Sequence, residues 1–164
     1  GGIHQNVQGI VMTKQTVYVL APDEDWIVDR LVQDWYNDAI NSTFSVKDPL
    51  EADVIWLLAD WCSSKLPREL LQRKKVITTV HHIVPEKFTW FERNEFLFRD
   101  NITTAYHVPN QRTYDFIRPL TTKPIYLIPY WANQEIWKIA ELHKTDDVPA
   151  ILPTKQILTY EGEK

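Results

Sequence analysis

The order of apolar runs along the chain constrains its fold more than any other feature. Short strand-like runs, such as residues 54–59 and 76–80, alternate with segments of helical period through about 120 residues. Neither run alternates between apolar and polar side chains, which indicates strands that are covered on both faces. Short connections with right-handed crossovers place such strands in one sheet. The pattern therefore predicts an α/β fold, a Rossmann-like three-layer sandwich with a mostly parallel sheet.

Individual elements follow from the same periodicities. Strands are predicted at residues 16–21, 43–46, 54–59, 76–80, 103–108 and 125–128. Helices are predicted at residues 26–40, 67–73, 91–100, 109–117 and 134–142. We expect Asp23 or Asp25 to cap the first helix, because a carboxylate satisfies the free N–H groups at a helix start.

The domain organisation follows from where the periodicity stops. A chain of 164 residues suits one domain that buries about 70% of its unfolded surface, and residues 12–143 are expected to form it as a Rossmann-like domain. Residues 1–11 carry no persistent period and are expected to be a leader, either appended to the natural chain or flexible. Residues 144–164 contain two prolines and are expected to be a linker or a terminal segment.

Charge and cysteine content narrow the classes of partner and compartment. A net charge of −4 disfavours nucleic acid as a partner, because that binding depends on Lys and Arg meeting phosphates. The single cysteine, Cys62, cannot form an internal disulfide, which favours a reducing compartment, the cytoplasm. No apolar run approaches the ~20 residues of a membrane helix. A loose peripheral contact with a membrane surface stays open.

Polar and aromatic side chains follow several predicted strands at the point where each strand ends. The carboxyl ends of parallel strands share one edge of a sheet, and ligands of open α/β sheets bind there. Aromatic rings beside carboxylates and imidazoles suit sugars, whose C–H faces stack on rings while their hydroxyls seek charged acceptors. A carbohydrate site is therefore predicted. The residues expected to meet there are Asp23, Glu24, Asp25, Trp26, Asp60, Trp61, His81, His82, Glu86, Lys87, Tyr130 and Trp131.

The sequence gives less support to a phosphate site or a metal site. None of the four glycines lies between Met12 and Ile151, so no glycine-rich turn is present to approach a phosphate. Neighbouring histidines on a strand point to opposite faces, and no third ligand follows at a recognisable spacing, so no metal is expected. Each of these aromatic residues and histidines could instead have a purely structural role. We expect His107 to be a core histidine that is satisfied by a backbone carbonyl.

Five segments together resemble the amino-terminal domain of a GT-B glycosyltransferase of the retaining family 4. They are PDEDWIVDR, EADVIWLLADW, KVITTVHHIVPEKF, AYHVPN and PIYLIPYWANQEIW, and they cover residues 16–137. The resemblance implies that the chain binds a sugar acceptor. The nucleotide-sugar donor would be held by a second, carboxyl-terminal domain that this chain lacks, and no other cofactor is implied. The isolated chain is then expected to be inactive, and the surface left by the absent domain leaves a homodimer open.

The resemblance also assigns roles to residues. His81 matches the histidine of the family's Thr-x-His motif, which helps to position the transferred sugar, and is the implied catalytic residue. His82, Glu86 and Lys87 then line the acceptor side. The remaining residues of the expected substrate-binding set are Asp25, Trp26, Trp61 and Tyr130. One departure is the turn after the first strand, where residues 22–25 replace the glycine-rich turn of many members, so phosphate contact is not expected there.

Two alternatives to a transferase stay open. A stand-alone module could use the aromatic edge to hold a glycan or a protein without catalysis. A flavodoxin-like signalling domain is less favoured, because the chain lacks a strand-end Asp cluster with a partner Lys in the expected order.

Overall fold

The computed structural model of the protein describes residues 14–131. Its strands are β1 (Val17–Leu20), β2 (Val54–Leu57), β3 (Lys75–Thr79), β4 (Ala105–Val108) and β5 (Ile125–Leu127). Its α-helices are α1 (Ile27–Asn37), α2 (Arg68–Arg73), α3 (Trp90–Asp100) and α4 (Gln111–Ile117). Short 3-10 helices lie at Asn41–Thr43, Asp60–Lys65, Pro85–Lys87 and Arg118–Leu120. The strands form one parallel sheet in the order β1-β2-β3-β4-β5, which confirms the predicted α/β Rossmann-like fold.

The chain divides into two compact units, Gly1–Pro129 and Tyr130–Lys164. The first contains all of these elements, and the second is described at Tyr130 and Trp131. The predicted helix at 134–142 and the predicted boundaries at residues 11 and 143 lie outside the described residues and stay predictions. Within residues 14–131, no helix combines the length and the apolar character needed to cross a membrane.

The two faces of the sheet are covered by different helices. Ile55 and Leu57 of β2 pack with Leu71 of α2 on one face, where Phe96 of α3 and Ile117 of α4 continue the core over β4. Side chains alternate along a strand, so Trp56 points to the opposite face. There its ring meets that of Trp35 in α1 edge-on, with the centroids 5.1 Å apart. Helices thus cover both faces, as a three-layer sandwich requires.

A buried polar chain crosses the α1 face of the sheet. The indole Nε1 of Trp56 donates to the Thr79 hydroxyl at 2.8 Å, and that hydroxyl lies 2.9 Å from Nδ1 of His107. Nε2 of His107 donates to the Ile128 carbonyl oxygen at 2.7 Å. Burial lowers the pKa of His107, so its neutral ring donates from Nε2 and accepts at Nδ1. The prediction of a core histidine satisfied by a backbone carbonyl is confirmed.

The prediction of a strand at residues 43–46 is wrong. Ser45 makes only an isolated parallel bridge with Val17, after the 3-10 helix Asn41–Thr43. The Asp38 carboxylate accepts from the N–H groups of Ile40 and Asn41, and nearby hydroxyls donate to carbonyls of the same segment. These local bonds compete with a strand ladder and keep the segment coiled.

The Ser45 bridge nevertheless shows where the chain changes direction across the sheet. Val17 bonds Phe44 and Val46, whereas the carbonyls of Thr16 and Leu20 accept from the β2 side. Ser45 therefore lies at the edge of β1 opposite β2. The chain leaves β1 toward one side and returns to β2 on the other, which makes the carboxyl ends of β1 and β2 a topological switch point.

Candidate functional site

The candidate site lies at this switch point. We call it the switch-point edge and define it as residues 21–26 after β1, the 3-10 helix Asp60–Lys65 after β2, and His81 and His82 after β3. The first two segments touch, because the Lys65 ammonium donates to the Pro22 carbonyl oxygen. The segment after β2 is a 3-10 helix that packs on the turn after β1.

The acidic turn after β1 wraps around a carboxylate from α1. Asp29 accepts from the backbone N–H groups of Asp23, Glu24 and Trp26 at 2.7, 2.9 and 3.0 Å. Asp23 and Asp25 adopt left-handed backbone conformations, with φ of 60° and 55°, which direct successive N–H groups inward. Burial opposes ionisation of Asp29, but these hydrogen bonds outweigh it and lower its pKa.

This geometry corrects the predicted cap of the first helix. The N-cap residue is Trp26, and the carboxylate that satisfies the helix start comes from Asp29 rather than from Asp23 or Asp25. The turn occupies the place at which many Rossmann-like folds hold a phosphate at a helix amino terminus. Here an internal carboxylate fills the ring of N–H donors.

His81 ends β3 and holds two strands together. Its Nε2 donates to the Leu58 carbonyl oxygen at 2.6 Å, and its own carbonyl accepts from Asn110 and Thr113 of the α4 start. The side chain is 5% exposed. Burial lowers the pKa of His81 to about 4, although the Leu58 carbonyl acts in the opposite direction. The imidazole is therefore neutral at pH 7, with its proton on Nε2.

Trp61 lies over His81 at the outer side of the edge. The two ring centroids are 6.1 Å apart and the planes are tilted by 46°. Trp61 is 36% exposed, so part of its ring is available to a ligand. The next residue, Cys62, is fully buried, and burial raises the pKa of its thiol to about 12. The Asp60–Lys65 helix thus presents an aromatic ring outward and anchors itself inward through a thiol.

Asp60, which precedes Trp61 in the chain, forms an ion pair with Arg99. Nη2 of Arg99, in the last turn of α3, lies 3.0 Å from Oδ2 of Asp60. Burial raises the pKa of Asp60 in spite of the opposing effects of Arg99 and His82. The Nε atom of Arg99 is buried without a hydrogen-bond partner among the described residues. Asp60 is therefore a carboxylate of raised basicity at the end of β2.

The predicted site residues fall into three groups. Trp61 and His81 are in ring contact, and His82 is close enough to Asp60 to affect its pKa. Asp25 and Trp26 lie in the acidic turn, both exposed, beside the segment that carries Trp61. The exposed Glu86 and Lys87 lie further along the chain in the 3-10 helix Pro85–Lys87, and Tyr130 begins the second unit.

Two contributing residues were not predicted. Arg99 is separated from Asp60 by helix α2 and strand β3 in the sequence, and it occupies an ordinary polar position of an amphipathic helix. Asp29 carried a weak signal, because a carboxylate three residues after a helix start is typical of a capping box. Within residues 14–131, no three His, Cys, Asp or Glu side chains are grouped so that they could hold a metal ion.

Comparison of the chain with protein-family models, with curated proteins and with solved structures found no match in any of the three.

Proposed function

We propose that the chain is the acceptor-binding domain of a glycosyltransferase, and that another domain binds the nucleotide-sugar donor. The observation that carries the proposal is the partly exposed ring of Trp61 over His81, beside the Asp60–Arg99 ion pair at the switch-point edge. A ring next to a carboxylate and a guanidinium matches the two faces of a sugar, one made of C–H groups and one of hydroxyls.

Each residue has a distinct role in this proposal. Trp61 stacks on the acceptor ring, and Asp60 accepts a hydrogen bond from an acceptor hydroxyl. Its raised pKa makes Asp60 a stronger proton acceptor than an ordinary aspartate. His81, the predicted catalytic residue, lies beneath Trp61 as a buried, neutral imidazole bonded to Leu58, so it acts on the sugar by positioning the Trp61 ring. His82, Asp25 and Trp26 line the rim.

The turn after β1 supports placing the donor elsewhere. The N–H groups that would meet a phosphate at this position are already bound to the carboxylate of Asp29. A phosphate would have to displace that carboxylate and would be repelled by the neighbouring acidic residues. A nucleotide sugar should therefore bind this chain no better than its free sugar does.

A ligand-observed NMR experiment on the chain tests the proposal. Saturation transfer to a panel of neutral mono- and oligosaccharides should be detected, should disappear in Trp61→Ala, and should persist in Trp90→Ala, a matched removal of an exposed indole outside the edge. Nucleotide sugars should show no added transfer to the base. Equal transfer in wild type and Trp61→Ala, or saturable binding of the nucleotide itself, would contradict the proposal.

An activity assay tests the half-enzyme part separately. The chain alone should transfer no sugar from a panel of nucleotide sugars, whereas the chain supplied with its donor-binding domain should do so. Robust transfer by the chain alone contradicts this part. The cytoplasmic location expected from the lone Cys62 belongs to the same proposal.

The burial of His81 favours a second candidate, a non-catalytic module that binds a glycan or a protein. A histidine that is 5% exposed and bonded to Leu58 serves the fold without any reaction. The gene sequence that follows the codon for Lys164 discriminates the two candidates. A further domain of on the order of 150 residues with a glutamate-bearing motif and an Arg/Lys pair favours the transferase.

A further inference from the structure

Helix α3 carries an aromatic stripe on its outer surface. Phe96 is its buried residue, whereas Trp90, Phe91 and Phe98 are 78%, 61% and 56% exposed. Spacings of one, seven and eight residues bring Trp90, Phe91, Leu97 and Phe98 onto one side of the helix. Single exposed rings are ordinary, but four apolar side chains grouped around the exposed Asn94 mark an interaction surface, in which the Arg68 guanidinium lies over the Phe98 ring, 3.9 Å from its centroid.

A groove opens beside this stripe and shares Trp90 with it. Its volume is about 590 Å³, and its apolar walls are Phe88, Phe116, Pro119 and Leu120, from the segment before α3 and from α4 with the 3-10 helix that follows. The groove is open to solvent along one side and is wide enough to admit an indole ring. One continuous patch thus carries both a projecting Trp90 and a recess.

We infer that this patch is an isologous interface between two copies of the chain, in which Trp90 of each copy enters the groove of the other. In a two-fold contact the same patch faces itself, so it has to carry both members of every complementary pair. The projecting ring and the recess form one such pair, and the chain holds them side by side.

The charges at the groove form a second pair. Arg93 and Asp115 line it together, and across a two-fold axis the cation of one copy faces the anion of the other. A lipid surface fits this patch less well, because acidic and basic groups are mixed along α3, whereas basic residues predominate on the polar face of membrane-surface helices.

The available area suits a dimer of low affinity. An aromatic side chain buries about 150–250 Å², so the exposed parts of Trp90, Phe91 and Phe98 supply roughly 400 Å² per copy. That is about half of the ~800 Å² that each partner buries in an interface of standard size. The open groove adds little to this area, so the contact belongs to the small, transient interfaces, and we expect a dissociation constant on the order of tens of micromolar.

Sedimentation velocity over a concentration series tests the inference. Wild type should pass from monomer to dimer at concentrations on the order of tens of micromolar, and Trp90→Ala should raise the dissociation constant by at least ~30-fold, as expected for the loss of an interface hot spot. Ile40→Ala removes an equally exposed apolar side chain outside the patch and should change nothing. Both variants should leave sugar binding at Trp61 intact, because that binding does not depend on the dimer.

Charge reversal makes the test specific for the two-fold arrangement. Arg93→Asp and Asp115→Arg should each weaken the dimer several-fold, and the double variant should restore it. A wild-type chain that stays monomeric throughout the series, or single and double charge variants that behave alike, would overturn the inference. Sedimentation with zwitterionic lipid vesicles that is lost in Trp90→Ala, without dimerisation, would assign the patch to a membrane surface instead.

Discussion

Nε2 of His81 lies 2.6 Å from the carbonyl oxygen of Leu58, and this hydrogen bond ties the end of β3 to the end of β2. His81→Ala removes the donor, leaves a buried carbonyl unpaired and opens a cavity, so the free energy of unfolding should fall by about 2–4 kcal/mol. Urea denaturation followed by far-UV circular dichroism measures this change. The exposed Lys87, which follows the same strand, provides the control, since Lys87→Ala should change stability by less than about 0.5 kcal/mol. Equal losses in both variants would contradict the structural role of the Leu58 bond.

The same burial predicts a pH dependence of stability. The pKa of His81 is about 4 in the folded chain, below its ordinary value of 6.5, so between these values the unfolded chain binds the proton and the folded chain does not. Stability contributed by the neutral ring is therefore fully present above pH 6.5 and is lost as the pH falls to 4, by up to about 3 kcal/mol.

A comparison with His81→Gln isolates this effect, because glutamine keeps an N–H donor and does not titrate. The free energy of unfolding of wild type should fall more steeply between pH 6.5 and 4 than that of the variant. Asp60 acts with the opposite sign, since its raised pKa gives stability that is lost as the pH rises, but it is common to both proteins and cancels in the difference. Parallel curves for the two proteins would exclude a buried neutral His81.

The Asp60–Arg99 pair predicts a non-additive pair of substitutions. Arg99→Met leaves the largely buried carboxylate of Asp60 without this counter-ion and should cost about 1–3 kcal/mol, less than a fully buried pair because both side chains keep some exposure. Asp60→Asn in the same chain removes the unpaired charge, whose ionisation burial already opposes, and should recover at least half of the loss. Urea denaturation of the two single variants and the double variant measures the coupling. Strictly additive losses would argue against the ion pair.

Asp29 is the centre of the turn after β1. Asp29→Ala deprives three backbone N–H groups of their acceptor and should lower the free energy of unfolding by about 1–3 kcal/mol. Asp34→Ala, a substitution in the same helix without these bonds, should be near neutral. Amide exchange of Asp23, Glu24 and Trp26 provides a local readout, and it should accelerate in Asp29→Ala alone. Unchanged protection of these amides in Asp29→Ala would contradict the proposed turn.

The main architecture could be predicted because it depends on local patterns. The apolar run that contains β2 and the β-branched run that contains β3 each signal a buried strand without reference to the rest of the chain. The acidic turn, Trp61 and the two histidines could be placed at one edge for the same reason, since parallel strands end together.

The contacts at the switch-point edge join residues that are far apart in the sequence, so they could not be predicted from local patterns. Arg99 reaches Asp60 only because α3 packs on the face that β2 shares with α2, which no local spacing records. At 43–46 the prediction failed because side chains of Asp38 and Ser45 bond their own segment more readily than a neighbouring strand. The left-handed conformations of Asp23 and Asp25 could not be predicted, because the turn contains no glycine.

The buried thiol of Cys62 can be used to measure local opening of the fold. It is the sole cysteine of the chain, it is shielded in the fold, and its pKa of about 12 leaves almost no reactive thiolate at neutral pH. Any reaction with a thiol reagent must therefore wait until the segment between β2 and α2 lifts away from the sheet. The rate of alkylation therefore measures how often this segment opens, and a sugar that stacks on the neighbouring Trp61 should lower that rate.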